Sequence, residues 1–73
     1  MTPKAKKTFE ELRSRLGQNL CQLRTKQRKT QAELADLHWR HLQKIEAGEC
    51  NVTLITVARL ASALGVDPRK LVA

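Results

Sequence analysis

Apolar residues recur along this chain at steps of three and four and never settle into alternation. Phe9, Leu12, Leu16, Leu20 and Leu23 form the first stripe, the spacing of one helical face. Thr8 opens "TFEE", with Glu11 three residues on, a capping-box pattern that predicts the helix start at Thr8. Gly17 falls inside the stripe, where it costs about 1 kcal/mol against Ala, a cost that close packing would explain. The helix is expected to fade near Lys26, in the basic cluster "KQRK". Thr30 and Glu33 make a second capping box and predict a short second helix. A third element runs to Ala47, with Gly48 placed as its C-terminal cap. Thr53 begins a fourth, with Leu54, Val57, Leu60, Ala61 and Leu64 inward and Gly65 as the stop. Asp67 at the N-cap and Pro68 at the first helical position start a brief fifth. Residues 1–7, "MTPKAKK", carry no apolar pattern and read as a flexible basic arm, leaving 8–73 as one all-α domain of five short helices.

Composition narrows the function class. Seventy-three residues make one small domain, which buries only about 60% of its unfolded surface. The hydrophobic fraction is Leu, Ala, Val and Ile, with one Phe, one Trp and no Tyr, which suits helices better than a sheet. Fourteen Lys and Arg against seven Asp and Glu leave a net charge of +7. Such an excess favours a polyanion, nucleic acid ahead of an acidic membrane surface, against the plain alternative of a solubilising charge. There is no apolar run of membrane-spanning length and no signal-peptide core, so a soluble, cytoplasmic protein is expected, with no membrane partner. Cys21 and Cys50 lie far apart, and their spacing from His38 and His41 does not suit a zinc set. No Gly-rich phosphate loop, carboxylate pair or nucleophile with a base beside it is present, so neither an enzyme nor a cofactor or metal is expected.

One long stretch carries a resemblance. "LRTKQRKTQAELA" and "HLQKIEAGECNVTLITVARLASALGVDP" cover nearly all of residues 23–68. They resemble the phage repressor and Cro type of helix-turn-helix domain, the Xre-like family. The specific parts are Gln31, the Leu34-Ala35 pair, "IEAG" and "LASALGVDP"; "NVTL" followed by "LASALGV" is similar to the restriction-modification controller proteins of the same family. The resemblance implies a compact repressor-like DNA-binding domain and a sequence-specific transcriptional regulator. It would bind a palindromic operator as a homodimer, with the third helix in the major groove.

The chain departs from the family in the corner between its second and third helices. Residues 36–41 alone separate the Leu-Ala pair from Leu42, and the family's turn glycine is absent. The corner is about three residues shorter than usual, close to one helical turn. Two readings stay open. One is a compressed or 3-10-like corner, with Leu37, His38, Trp39 and Arg40 matching the start of the family's reading helix. The other is a single fused helix over 31–47, since Leu34 and Ile45 would then lie only about 20° apart on its face. Fusion would displace the reading helix from its own domain and invite a domain swap.

In this register the resemblance assigns base reading to Trp39, Arg40, Gln43 and Lys44. Arg40 suits guanine O6 and N7; Gln43 suits adenine or a phosphate, and Lys44 either role. Trp39 suits a core or stacking anchor as well as a thymine methyl. Gln31 matches a phosphate-binding position at a helix N-terminus. Arg28 and Lys29 extend that clamp or form a solvated basic face, and His41, with His38, stands on the DNA side or simply packs and caps. Arg24 and Glu46 resemble a structural ion pair that fixes the reading helix. Dimer contacts are expected from residues 53–64 and from "GVDPRKLVA", whose Val66, Leu71 and Val72 exceed what so small a chain can cover. Two other classes remain: an antitoxin-like module that binds a partner protein as well as DNA, and a non-specific basic binder of nucleic acid or membrane.

Overall fold

The computed structural model describes residues 1–34 and 37–73. The first helix, α1, spans Pro3–Lys26 and begins well before Thr8. The Thr2 hydroxyl accepts the Ala5 N–H at 3.1 Å and Pro3 takes the first helical position, a start signal stronger than the capping box downstream. Thr8 instead donates its hydroxyl to the Lys4 carbonyl within the helix. The basic segment expected as a flexible arm is therefore the opening of α1, with residues 1–8 all exposed. At 24 residues, about 36 Å long by helical rise, α1 matches the molecule's 37 Å long axis.

The end of α1 closes with two backbone bonds, Arg28 N–H to Thr25 O at 2.9 Å and Lys29 N–H to Arg24 O at 3.1 Å. This is the Schellman pattern, and it puts Arg28 in the left-handed region at φ 58°.

The corner that follows is compressed, not fused. A single 3-10 turn, Gln31–Glu33, stands where a short second helix is expected. The Thr30–Glu33 capping pair forms between side chains, at 2.9 Å, and Thr30 caps no backbone N–H. Leu34 is extended and fully buried. His38 is extended as well (φ −62°, ψ 135°), and its Nδ1 accepts the Arg40 N–H at 3.2 Å to start α2, Trp39–Glu46. Extended backbone at both positions breaks any continuous helix over 31–47. Two residues of the expected motif, Ala35 of the Leu-Ala pair and Asp36 of the corner, lie outside the described residues.

A Schellman closure at Gly48 (φ 73°) ends α2. The next helix, α3, spans Leu54–Leu64, capped by Thr53 and stopped by left-handed Gly65. Asp67 Oδ1 accepts the Arg69 N–H at 2.9 Å, and Pro68 precedes α4, Arg69–Val72. Leu16, Leu20, Leu34, Leu42, Ile45, Leu60, Ala61, Leu64 and Leu71 form one core that draws on all four α-helices and on Leu34, just after the 3-10 turn.

Two expectations about this packing are corrected. Leu71 does not belong to an outer surface: it is fully buried, because α4 folds onto α1 and Asn19 donates to the carbonyls of Leu71 and Ala73. Leu54 does not point inward. It occupies the first position of α3, 87% exposed, on the rim of a groove shared with Phe9, Leu12 and Val72.

Candidate nucleic-acid interface

The eight residues of α2 divide into two halves. Leu42 and Ile45 are buried, His41 and Glu46 are half-buried, and Trp39, Arg40, Gln43 and Lys44 are exposed. At 100° per residue the four exposed side chains fall within an arc of about 140°. They form two i,i+4 rows, Trp39 with Gln43 and Arg40 with Lys44. No acid stands on that half of α2; its one carboxylate, Glu46, is turned inward.

Two devices hold α2 in place. The first is Gly17, which leaves the flank of α1 flat. A Cβ there would stand 2.5 Å from the Ile45 carbonyl oxygen and 2.7 Å from that of Glu46. The glycine of the first stripe thus marks a backbone-to-backbone contact between α1 and the end of α2. The second is the ion pair. Arg24 grips Glu46 through two bonds, Nε to Oε2 at 2.6 Å and Nη2 to Oε1 at 3.0 Å. The side chains of the pair are only 13% and 7% exposed. Burial would raise the Glu46 pKa, but the hydrogen bonds from Arg24 and Gln31 outweigh it and hold the carboxyl below its ordinary value. The Arg24 guanidinium is raised in turn, chiefly by its bond to Glu46.

The structure draws the neighbouring residues into this network. Gln31 donates from Nε2 to Glu46 Oε1 at 3.0 Å, so a residue expected at phosphate is also a strut between the 3-10 turn and α2. Arg24 Nη1 donates to the Lys29 carbonyl at 2.8 Å. Lys29 itself turns away, its ammonium bonded to the Ala63 carbonyl at 3.1 Å near the end of α3. Gln27 does likewise to Leu64 O at 2.8 Å. Both place donors at the negative end of that helix. Arg28, by contrast, is fully on the surface. None of these tertiary links has a signature in local spacing, although the Arg24–Glu46 pairing does accompany the family motif.

Trp39 is not a core residue. It is 43% exposed, stacked on the His38 imidazole with centroids 5.9 Å apart, and the Arg40 guanidinium carbon lies 5.3 Å from its ring centre. Among the described residues no helix is long and apolar enough to cross a membrane. Cys21 and Cys50 are both free thiols.

Comparison with curated protein sequences gives no match. The high-resolution crystal structure of the restriction-modification controller protein C.AhdI from Aeromonas hydrophila is similar to this chain at a TM-score of 0.77. The two are 34% identical, and the match covers 81% of this chain and 94% of that one. The helix-turn-helix family matches residues 22–71, from the second half of α1 into α4. On that match and that similarity, the chain belongs to the Xre-like helix-turn-helix family of DNA-binding transcription regulators.

Proposed function

We propose that the protein binds a palindromic operator in duplex DNA as a homodimer, each copy laying α2 in the major groove to read one half-site. The observation that carries this reading is the outward half of α2. Trp39, Arg40, Gln43 and Lys44 are exposed together, while every buried contact of the helix lies on its other half. In this reading Arg40 presents two donors to guanine, worth about 1–3 kcal/mol of discrimination. Gln43 and Lys44 reach further along the groove, and Gln31, Arg28 and His41 hold the flanking phosphates. Lys29 contributes less, since it already serves the end of α3. The similarity to a restriction-modification controller protein supports regulation of transcription as the role.

Dimerisation supplies what one copy lacks, because a domain of this size spans a single half-site. The surface that supports it is apolar: Leu54 borders one groove with Leu12 and Val72, and Ile55, next to Leu54 in α3, is 64% exposed. The same patch also suits a partner protein, which is the antitoxin-like alternative. Sedimentation of the purified chain, alone and with operator, separates the two, since a monomer that dimerises on neither condition favours the partner.

The function is tested by selecting bound sequences from a random duplex pool. A palindromic motif whose specificity relaxes at one base pair in Arg40→Ala is the expected result. Recovery of no motif overturns sequence-specific regulation. Binding that falls steeply with salt and ignores sequence would mark a general polyanion binder instead.

A further inference from the structure

Trp39 is the chain's only tryptophan, and it stands nearly half exposed at the first position of the reading helix. An exposed indole is costly in water and would ordinarily collapse onto the core. Here two neighbours hold it out. His38, fixed because its Nδ1 caps α2, stacks against the ring at an interplanar angle of 22°. Arg40 lays its guanidinium near the ring centre. The aromatic rim is therefore presented in one orientation beside the donor edge of Arg40.

A major groove offers such a rim one apolar partner. Base faces are buried in the stack, and base edges are polar except for the thymine 5-methyl group. We infer that Trp39 reads a thymine methyl, and that the Trp39–Arg40 pair reads a thymine next to a guanine as one unit. The pairing follows from contact. The guanidinium and indole lie 5.3 Å apart, which spans one to two base-pair steps of about 3.4 Å each. A guanidinium over an aromatic ring can use its face for the ring and its N–H edge for guanine O6 and N7, so the two contacts are compatible. His38 acts as a positioning residue, setting the plane of the ring.

This inference rests on the operator reading above, and the experiment separates the two. Each thymine of the selected site is replaced in turn by deoxyuridine, which lacks only the 5-methyl group, and the dissociation constant is measured for the wild-type chain and for Trp39→Ala. One thymine per half-site, adjacent or next-but-one to the guanine lost in Arg40→Ala, is expected to weaken wild-type binding about four-fold when demethylated, the scale of one buried methyl. Trp39→Ala is expected to bind the two duplexes equally, with Trp39→Phe in between. The wild-type chain gives a reading that needs no variant to fold, because all tryptophan fluorescence comes from Trp39. Its emission should shift on binding the thymine duplex and shift less on the demethylated one. A selected operator on which no deoxyuridine substitution changes affinity or emission overturns the methyl contact and leaves the operator reading intact. Failure to select any operator overturns both.

Discussion

At the residue scale, Arg28 sets the stability of the fold against charge on its surface. It closes α1 at φ 58°, where a side chain costs roughly 1 kcal/mol that glycine would not. Arg28 is exposed, three residues ahead of Gln31. Arg28→Gly is therefore expected to raise the melting temperature by several degrees. It should also lower the slope of log affinity against log salt by about 0.9, the share of one phosphate contact. Thermal denaturation and a salt titration of the same variant check both halves. Glu46 gives a pH dependence of definite sign. Its carboxyl is held below the ordinary value of 4.5 by Arg24 and Gln31, so its contribution is complete above that value. The contribution is lost as pH falls through the lowered folded-state value. Melting curves from neutral pH down to about pH 3 should show this loss, and Glu46→Gln should flatten it while lowering stability at neutral pH, because Arg24 then stands in a mostly buried site without its counter-charge.

At the scale of elements, the contact between α1 and α2 leaves no room for even one added carbon at Gly17. Gly17→Ala would gain up to about 1 kcal/mol in helix propensity. Against this, the new Cβ meets two backbone oxygens of α2 inside 3.0 Å, and overpacking of rigid backbone costs about 1–3 kcal/mol. Urea unfolding is expected to show net destabilisation, with DNA affinity falling further than stability because α2 is the element displaced. Much of this level was legible in the sequence. The Thr53 cap and the Gly48 and Gly65 stops are local signals, and each forms as read; the last helix also starts where Asp67 and Pro68 signal it, but one residue later, with Pro68 itself at the N-cap. The start of α1 is ambiguous in the sequence because two valid start signals lie six residues apart, and the upstream Thr2–Pro3 pair prevails. The collapse of the second helix to a 3-10 turn follows from too few residues to complete the corner, which spacing revealed without deciding its form. The Gln31–Glu46 and Lys29–Ala63 bonds join residues 15 and 34 apart, and only the folded chain brings those pairs together.

At the scale of the whole molecule, Leu54 and Ile55 stand largely uncovered at the start of α3, 87% and 64% exposed. Under the homodimer proposed above, Ile55→Asp is expected to leave a monomer in sedimentation without loss of helicity. Its affinity for a full palindrome should drop to that for a single half-site. A variant that stays dimeric would move the interface elsewhere. The sequence pattern points to residues 53–64 and the C-terminal segment for this region, but puts Leu71 on its surface and turns Leu54 inward, the reverse of their burial. The pattern gives a helical face, whereas the position of the neighbouring element decides which part of that face is covered.

The division of α2 has a consequence for how such a protein changes over generations. Every side chain that holds the helix lies on one half, and every candidate for reading DNA lies on the other. New preferences can therefore be written at Trp39, Arg40, Gln43 and Lys44 without renegotiating the architecture, so a gene duplicate can drift to a different address while remaining folded. Replacing Gln43 and Lys44 together by alanine is expected to leave the unfolding free energy within about 0.5 kcal/mol of the parent, as surface substitutions do, while the selected motif changes. The shortened corner makes the same point from the other side: with its second helix reduced to one turn, this domain keeps its address and its scaffold as separately heritable parts.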